Sequence, residues 1–189
     1  MQRHNQILFV ASMLAMSWFG MMAVHELGHV IGAVITRGHV TGVVLHPMAI
    51  SRTDVHPNPN PAVVVWLGPI LGCLLPLGLQ LLIPARMKIL RNSATFFAGF
   101  CLLTNGAYIA VGSFDRVGDC GEMLRTGTPL WLMITFGVLT IPSGLFLWHR
   151  LGSLKQFLAS PDTITARTAW VVVAMTGAII LAEVLLSPR

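Results

Sequence analysis

Within an apolar stretch of this 189-residue chain stand His25, Glu26, Leu27, Gly28 and His29, the pattern H-E-x-x-H. On a helix, positions i and i+4 share a face, so His25 and His29 can offer two imidazoles to a single Zn2+. Glu26 stands beside them, where a carboxylate can take a proton from a water held on the metal. These residue types at this spacing point to metal-assisted hydrolysis. The surroundings sharpen that reading. No charged residue occurs from position 7 to position 23, and the apolar character resumes after His29 as far as Ile35. Ionisable groups at membrane depth are costly unless paired or metallated, which makes them functional candidates. A pair of structural histidines satisfied by their neighbours is the plainer alternative, and it leaves their depth unexplained.

A zinc site of this kind needs a third protein ligand, and a carboxylate is a common choice. The stretch 112–128 reads GSFDRVGDCGEMLRTGT and carries three of the seven acidic residues: Asp115, Asp119 and Glu122. For most of these the plain reading is an ordinary polar loop. Cys120 beside Asp119 is a further candidate ligand. Cys73 and Cys101 fall inside apolar segments, where a thiol behaves as a small hydrophobe, and the three cysteines form no CxxC pair.

Membrane-embedded elements must position these groups. The chain is 54% hydrophobic and 10% charged, with a mean hydropathy of +0.75; a soluble domain carries about 25% charge. Five segments, 7–35, 62–83, 94–111, 130–148 and 169–186, reach the roughly 20 residues that one crossing needs. The expected fold class is therefore an all-α polytopic membrane protein of about five transmembrane helices, one membrane domain over residues 1–189. The first segment exceeds one crossing, which implies tilt or extension beyond the bilayer, and it is too long for a cleavable signal peptide.

Spans one and three run in the same direction, since a single span separates them. H-E-x-x-H lies towards the C-terminal part of span one, and Asp119 follows the C-terminal end of span three. Both therefore reach the same membrane face, where they can share an ion. A carboxylate after span two or four would fail this test. The net charge of +5 comes mostly from loop cations, notably Arg86, Lys88 and Arg91, then Arg150, Lys155 and Arg167. The positive-inside rule leads one to expect this, and it gives no argument for nucleic acid. With seven Lys/Arg at one face and five at the other, charge does not fix the orientation.

Between the first two spans, residues 38–53 read GHVTGVVLHPMAISRT, rich in β-branched residues and broken by Gly42 and Pro47. This predicts a hairpin or short sheet at the membrane face. Because lipid does not tolerate open sheet edges, such an element must lie at the interface or inside protein. The run His56-Pro57-Asn58-Pro59-Asn60-Pro61 gives a stiff, non-helical lead into span two. Pro142 with Ser143 and Gly144 predicts a kink in span four. Glu183 reads as a snorkelling end charge, and His149 beside Arg150 as an interfacial anchor.

Together, His25-Glu26-Leu27-Gly28-His29 in an early membrane helix, a β-rich segment after it, Gly68-Pro69-x-x-Gly72 in the second span and a third helix ending near an aspartate resemble the site-2 protease family of intramembrane zinc metalloproteases. The resemblance covers roughly residues 15–130. In that family two histidines and the aspartate of an Asp-Gly motif bind zinc. The matching stretch here is Gly118-Asp119-Cys120-Gly121, with a residue inserted between Asp and Gly. The usual Asn- and Pro-rich lead-in is absent, although Asn105 sits in the third span. The resemblance implies His25, His29 and Asp119 as zinc ligands, with Asp115 the main competitor of Asp119, and Glu26 as catalytic base. It also implies a catalytic core over residues 7–128, two C-terminal spans over 129–189, and a short branch of the family without appended regulatory domains. The function expected on this basis is an intramembrane zinc-dependent endopeptidase acting on membrane-protein or peptide substrates in the cell membrane. Oligomeric state is not legible.

A peptide bond inside a substrate helix is shielded by its own hydrogen bonds, so the substrate must be locally extended. The edge of the 38–53 element offers a place to add that strand, with His39 and His46 beside the approach. Gly68 and Gly72 are expected to permit close helix approach, as are Gly106 and Gly112. Asn105 is expected either to stabilise an oxyanion or to join neighbouring helices. Two other classes stay open: a catalytically inactive scaffold, motivated by the altered Asp-Gly region, and a metal or proton transporter. The transporter lacks an inverted repeat and a second intramembrane acidic cluster.

Overall fold

The computed structural model describes residues 2–153 and 164–187, so Lys155 lies outside the described residues. Among these, the chain forms α1 (Gln2–Ile35), β1 (Val40–Val44), β2 (Arg52–Val55), α2 (Pro61–Leu82), α3 (Lys88–Asp115), α4 (Gly118–Arg125), α5 (Leu130–Arg150) and α6 (Ala166–Leu186). Five of the helices, all but α4, are long and apolar enough to cross a membrane. The protein is an all-α polytopic membrane protein with one small antiparallel sheet after the first span. The helices begin and end beyond several of the expected apolar limits, most clearly in α3. Polar residues such as Lys88, Arg91 and Asp115 continue its hydrogen-bonded backbone past the apolar window. Asn60 caps α2, accepting from the Val63 N–H at 3.4 Å, and Pro61 takes the first helical position, where no N–H is needed. Pro142 lies inside α5, which continues through it as helix.

The spans stand in the order α6, α1, α2, α3, α5, each packed on the next. Hydrophobic burial cannot drive this packing within lipid, so close approach through small residues takes its place. On the α1–α2 seam, a Cβ at Gly28 would overlap the Leu67 carbonyl oxygen, and one at Gly32 would come within 2.9 Å of Val64 Cα. On the α3–α5 seam, a Cβ at Gly106 would overlap Thr140 Oγ1. α6 lies along α1 through Phe9, Met13, Ile164, Ala169 and Val172, and the Thr176 hydroxyl donates to the Ser12 carbonyl at 3.2 Å.

Strands β1 and β2 pair with Val44 opposite Arg52, Val43 opposite Thr53 and Val40 opposite Val55, with an irregularity between Val40 and Gly42. The hairpin reaches two residues beyond the expected 38–53 stretch and folds back along α1. Its Thr53 hydroxyl meets Glu26, nine residues before α1 ends, roughly 14 Å back along the helix axis. The Leu45 N–H donates to Ser187 Oγ at 2.7 Å, which ties the turn end of the hairpin to the end of α6. The sheet is thus lodged against helices, as its exposed backbone groups require.

One expectation is corrected. Glu183 does not snorkel: it is 4% exposed on the α6 side of the bundle, and neither carboxylate oxygen has a hydrogen-bond partner among the described residues. Its position one turn before the helix end suggests an outward reach, but the side chain is folded into protein instead.

Candidate metal centre

His25 and His29 lie one turn apart on α1, and both are buried. Their Nε2 atoms stand 3.1 Å apart. Asp119 Oδ2 lies 2.8 Å from His25 Nε2 and 3.3 Å from His29 Nε2. Among the described residues, these three form the group able to hold a metal ion. Asp115, exposed at the last turn of α3, stands outside it. Cys120 also stands outside it, its Sγ directed to the carbonyls of Tyr108 and Ile109 at 3.4 and 3.8 Å. Burial pushes its thiol up to about 11, so Cys120 is a packed, protonated side chain. His39 is exposed, and His46 Nδ1 accepts from the Met48 N–H at 3.2 Å, so neither histidine joins the cluster.

Both imidazoles are anchored from behind. His29 Nδ1 lies 2.8 Å from the Val64 carbonyl of α2, and His25 Nδ1 lies 2.6 Å from Asn105 Oδ1 of α3. The Asn105 amide is oriented by its own Nδ2, which donates to the Cys101 carbonyl at 2.9 Å. Two oxygen acceptors therefore assign protons to both Nδ1 atoms, so that each ring, when neutral, turns an Nε2 lone pair inward. Those two lone pairs and a carboxylate oxygen face one another at 2.8–3.3 Å. With both rings neutral these three electron-rich atoms repel, and either a metal ion among them or a proton on an Nε2 relieves it. Donor atoms around a tetrahedral zinc, each about 2.0–2.1 Å from the ion, stand roughly 3.3 Å apart. The donor set fits such an ion in atom type, spacing and outer hydrogen bonds.

Asp119 sits in the first turn of α4, where the helix dipole favours a negative charge. Burial alone would push its carboxyl up. Without a metal, hydrogen bonds and positive charge from protonated His25 and His29 outweigh that effect and hold it below the usual carboxylate range. The ionised carboxylate is the group that would attract a divalent cation there. The chain matches no protein-family model, no curated protein and no solved structure.

Glu26, on the adjacent face of α1, is 2% exposed, and its Oε2 accepts from the Thr53 hydroxyl at 2.8 Å. The hairpin thus supplies the partner that a buried carboxylate needs. Two glycines of the Gly68-Pro69-x-x-Gly72 element admit the site: a Cβ on Gly68 would overlap the His29 ring, and one on Gly72 would lie 3.0 Å from the Asn105 amide. Two contributions escaped the sequence reading, Thr53 as partner of Glu26 and Tyr108; Asn105, expected to join neighbouring helices or stabilise an oxyanion, joins α3 to α1 through His25. The Tyr108 hydroxyl accepts the Asp119 backbone N–H at 3.0 Å. A signal existed for the α3 pair, since Asn105 and Tyr108 are one turn apart and the chain has only one tyrosine. Thr53 gave none, because pairing with Glu26 depends on how the hairpin folds back.

Proposed function

We propose that the protein is a zinc-dependent intramembrane endopeptidase similar to site-2 proteases, hydrolysing peptide bonds of membrane-protein substrates in the cell membrane. The observation that carries this reading is the convergence of His25, His29 and Asp119 on one point, with Glu26 buried alongside. His25, His29 and Asp119 would hold the ion, and Asn105 and the Val64 carbonyl keep the imidazoles aimed. When bound, zinc supplies Lewis acidity, polarising a carbonyl and acidifying water. Glu26 takes the proton of the attacking water and passes it to the departing amine. Thr53 holds the Glu26 carboxylate in one orientation meanwhile. Burial of His25, His29 and Glu26, with Asp119 half-buried beside them, limits competition from bulk water. A substrate segment must be unwound before its carbonyl is accessible, and the edge of the hairpin offers backbone groups to an extended strand.

The test is Glu26→Gln in full-length protein reconstituted into liposomes, with proteomic comparison of membrane fragments between wild-type and variant strains. Metal content should be unchanged, while cleavage falls on the order of 10²–10⁴-fold. A fragment pattern identical in the two strains, with metal retained in both, would leave a non-catalytic scaffold as the better reading.

A further inference from the structure

The proposed ligands come from distant parts of the chain, and a single side chain touches two of them, His25 and Asp119. His25 and Asp119 are 94 residues apart in sequence. Tyr108 on α3 reaches each of them. Its hydroxyl oxygen accepts the Asp119 backbone N–H at 3.0 Å, and its ring meets the His25 imidazole edge-on, with centroids 6.0 Å apart and planes at 67°. One turn earlier on the same helix, Asn105 accepts from His25 Nδ1.

The connection that brings Asp119 back to α3 is unusual. Arg116 and Gly118 both adopt left-handed backbone, at φ 57 and φ 58. For arginine this costs roughly 1–2 kcal/mol, and such a conformation persists only where the surroundings fix it. Gly118 leaves the space that the phenol occupies, since a Cβ there would sit 2.5 Å from Tyr108 Oη. Hydroxyl and missing Cβ form a matched pair.

We propose that Tyr108 is the positioning residue of the metal centre. Its hydroxyl sets the place of Asp119 against the two imidazoles, and its ring steadies His25. The proposal rests on the metal-centre reading given above. α4 does not depend on this contact for its docking, because Cys120 and Met123 are fully buried against Val65, Ile109 and Met133. Tyr108→Phe, which removes one oxygen and keeps the ring, should therefore fold.

The probe is Co2+ alone, titrated into purified full-length protein and followed by its visible absorption bands. Tyr108→Phe should weaken Co2+ binding on the order of 10-fold, the lower end for loss of an outer partner. The Tm of the metal-free protein should not change. Gly118→Ala should weaken binding at least as much. The double variant should bind no worse than Gly118→Ala alone, because the overlap needs the hydroxyl; two positions acting independently on the site would give additive losses. Wild-type affinity and spectrum in Tyr108→Phe, or additive losses in the double variant, overturn the proposal while leaving the metal centre standing. Failure of the wild type to bind Co2+ overturns the metal centre, and the role of Tyr108 with it.

Discussion

Two glutamates are buried in this bundle, and their surroundings differ completely. Glu26 of α1 is met by a hydroxyl from the hairpin, beside a cluster in which each imidazole has a dedicated acceptor. Glu183 of α6 is hidden nearly as well, yet among the described residues both of its oxygens lack a hydrogen-bond partner, as does the buried Ser17 hydroxyl of α1. Depth alone therefore does not mark a working acid in this protein. What distinguishes the region between α1, α2, α3 and α4 is that its polar atoms are matched by partners from separate elements. Assembling those partners takes tight helix contacts, which the glycines at positions 28, 68 and 72 supply.

If that contrast is correct, disturbing the matched region should cost far more function than disturbing the other. The largest effect is expected from His29→Ala, which removes a ligand and leaves Asp119 with one imidazole. Metal should be lost on purification, and cleavage with it; elemental analysis of the purified protein checks this. Retention of stoichiometric metal would break the comparison at once. Next comes Gly68→Ala. Its new methyl group takes the space of the His29 ring, so metal affinity should drop sharply and the Tm should fall, because a helix packed this closely cannot absorb a Cβ without separating from its neighbour. A smaller loss follows from Asn105→Leu, which removes the acceptor behind His25 while preserving bulk. Affinity for Co2+ should weaken about 10–100-fold, the range for loss of a partner behind a ligating histidine. An unchanged affinity would show that the ring is held by packing alone.

The spans, the hairpin and the two histidines were legible because each leaves a local pattern: an apolar window, a β-branched run, an i, i+4 pair. Placing Asp119 on the same face as H-E-x-x-H required only counting crossings. Choosing it over Asp115 is a different matter. The two are separated by the left-handed turn at Arg116 and Gly118, which sends the chain back towards α1 and leaves Asp115 outside. Nothing local in DRVGD announces that reversal beyond a single glycine. Thr53 was equally silent, since its role arises from a contact between elements far apart in sequence, and Tyr108 was marked only by its spacing from Asn105. The misreading of Glu183 has the same origin. A charge near a helix end reaches outward unless protein covers it, and Glu183 is covered.

The smallest expected effect is also the one that tests the contrast from its other side. Replacing Glu183 by leucine keeps helix propensity and bulk nearly constant and removes two buried oxygens that have no hydrogen-bond donor. A buried polar group without a partner costs about 1–3 kcal/mol, so Glu183→Leu should stabilise the fold. With about 1 kcal/mol recovered, the Tm would rise roughly 2–4 °C for a chain of this size. Glu183→Gln keeps a polar group in the same place and should give a smaller gain. Metal affinity should stay at the wild-type value in both. A variant that loses stability, or that keeps its Tm but loses cleavage, would mean that Glu183 has a partner in the working protein and that the α1–α6 seam is a second functional region.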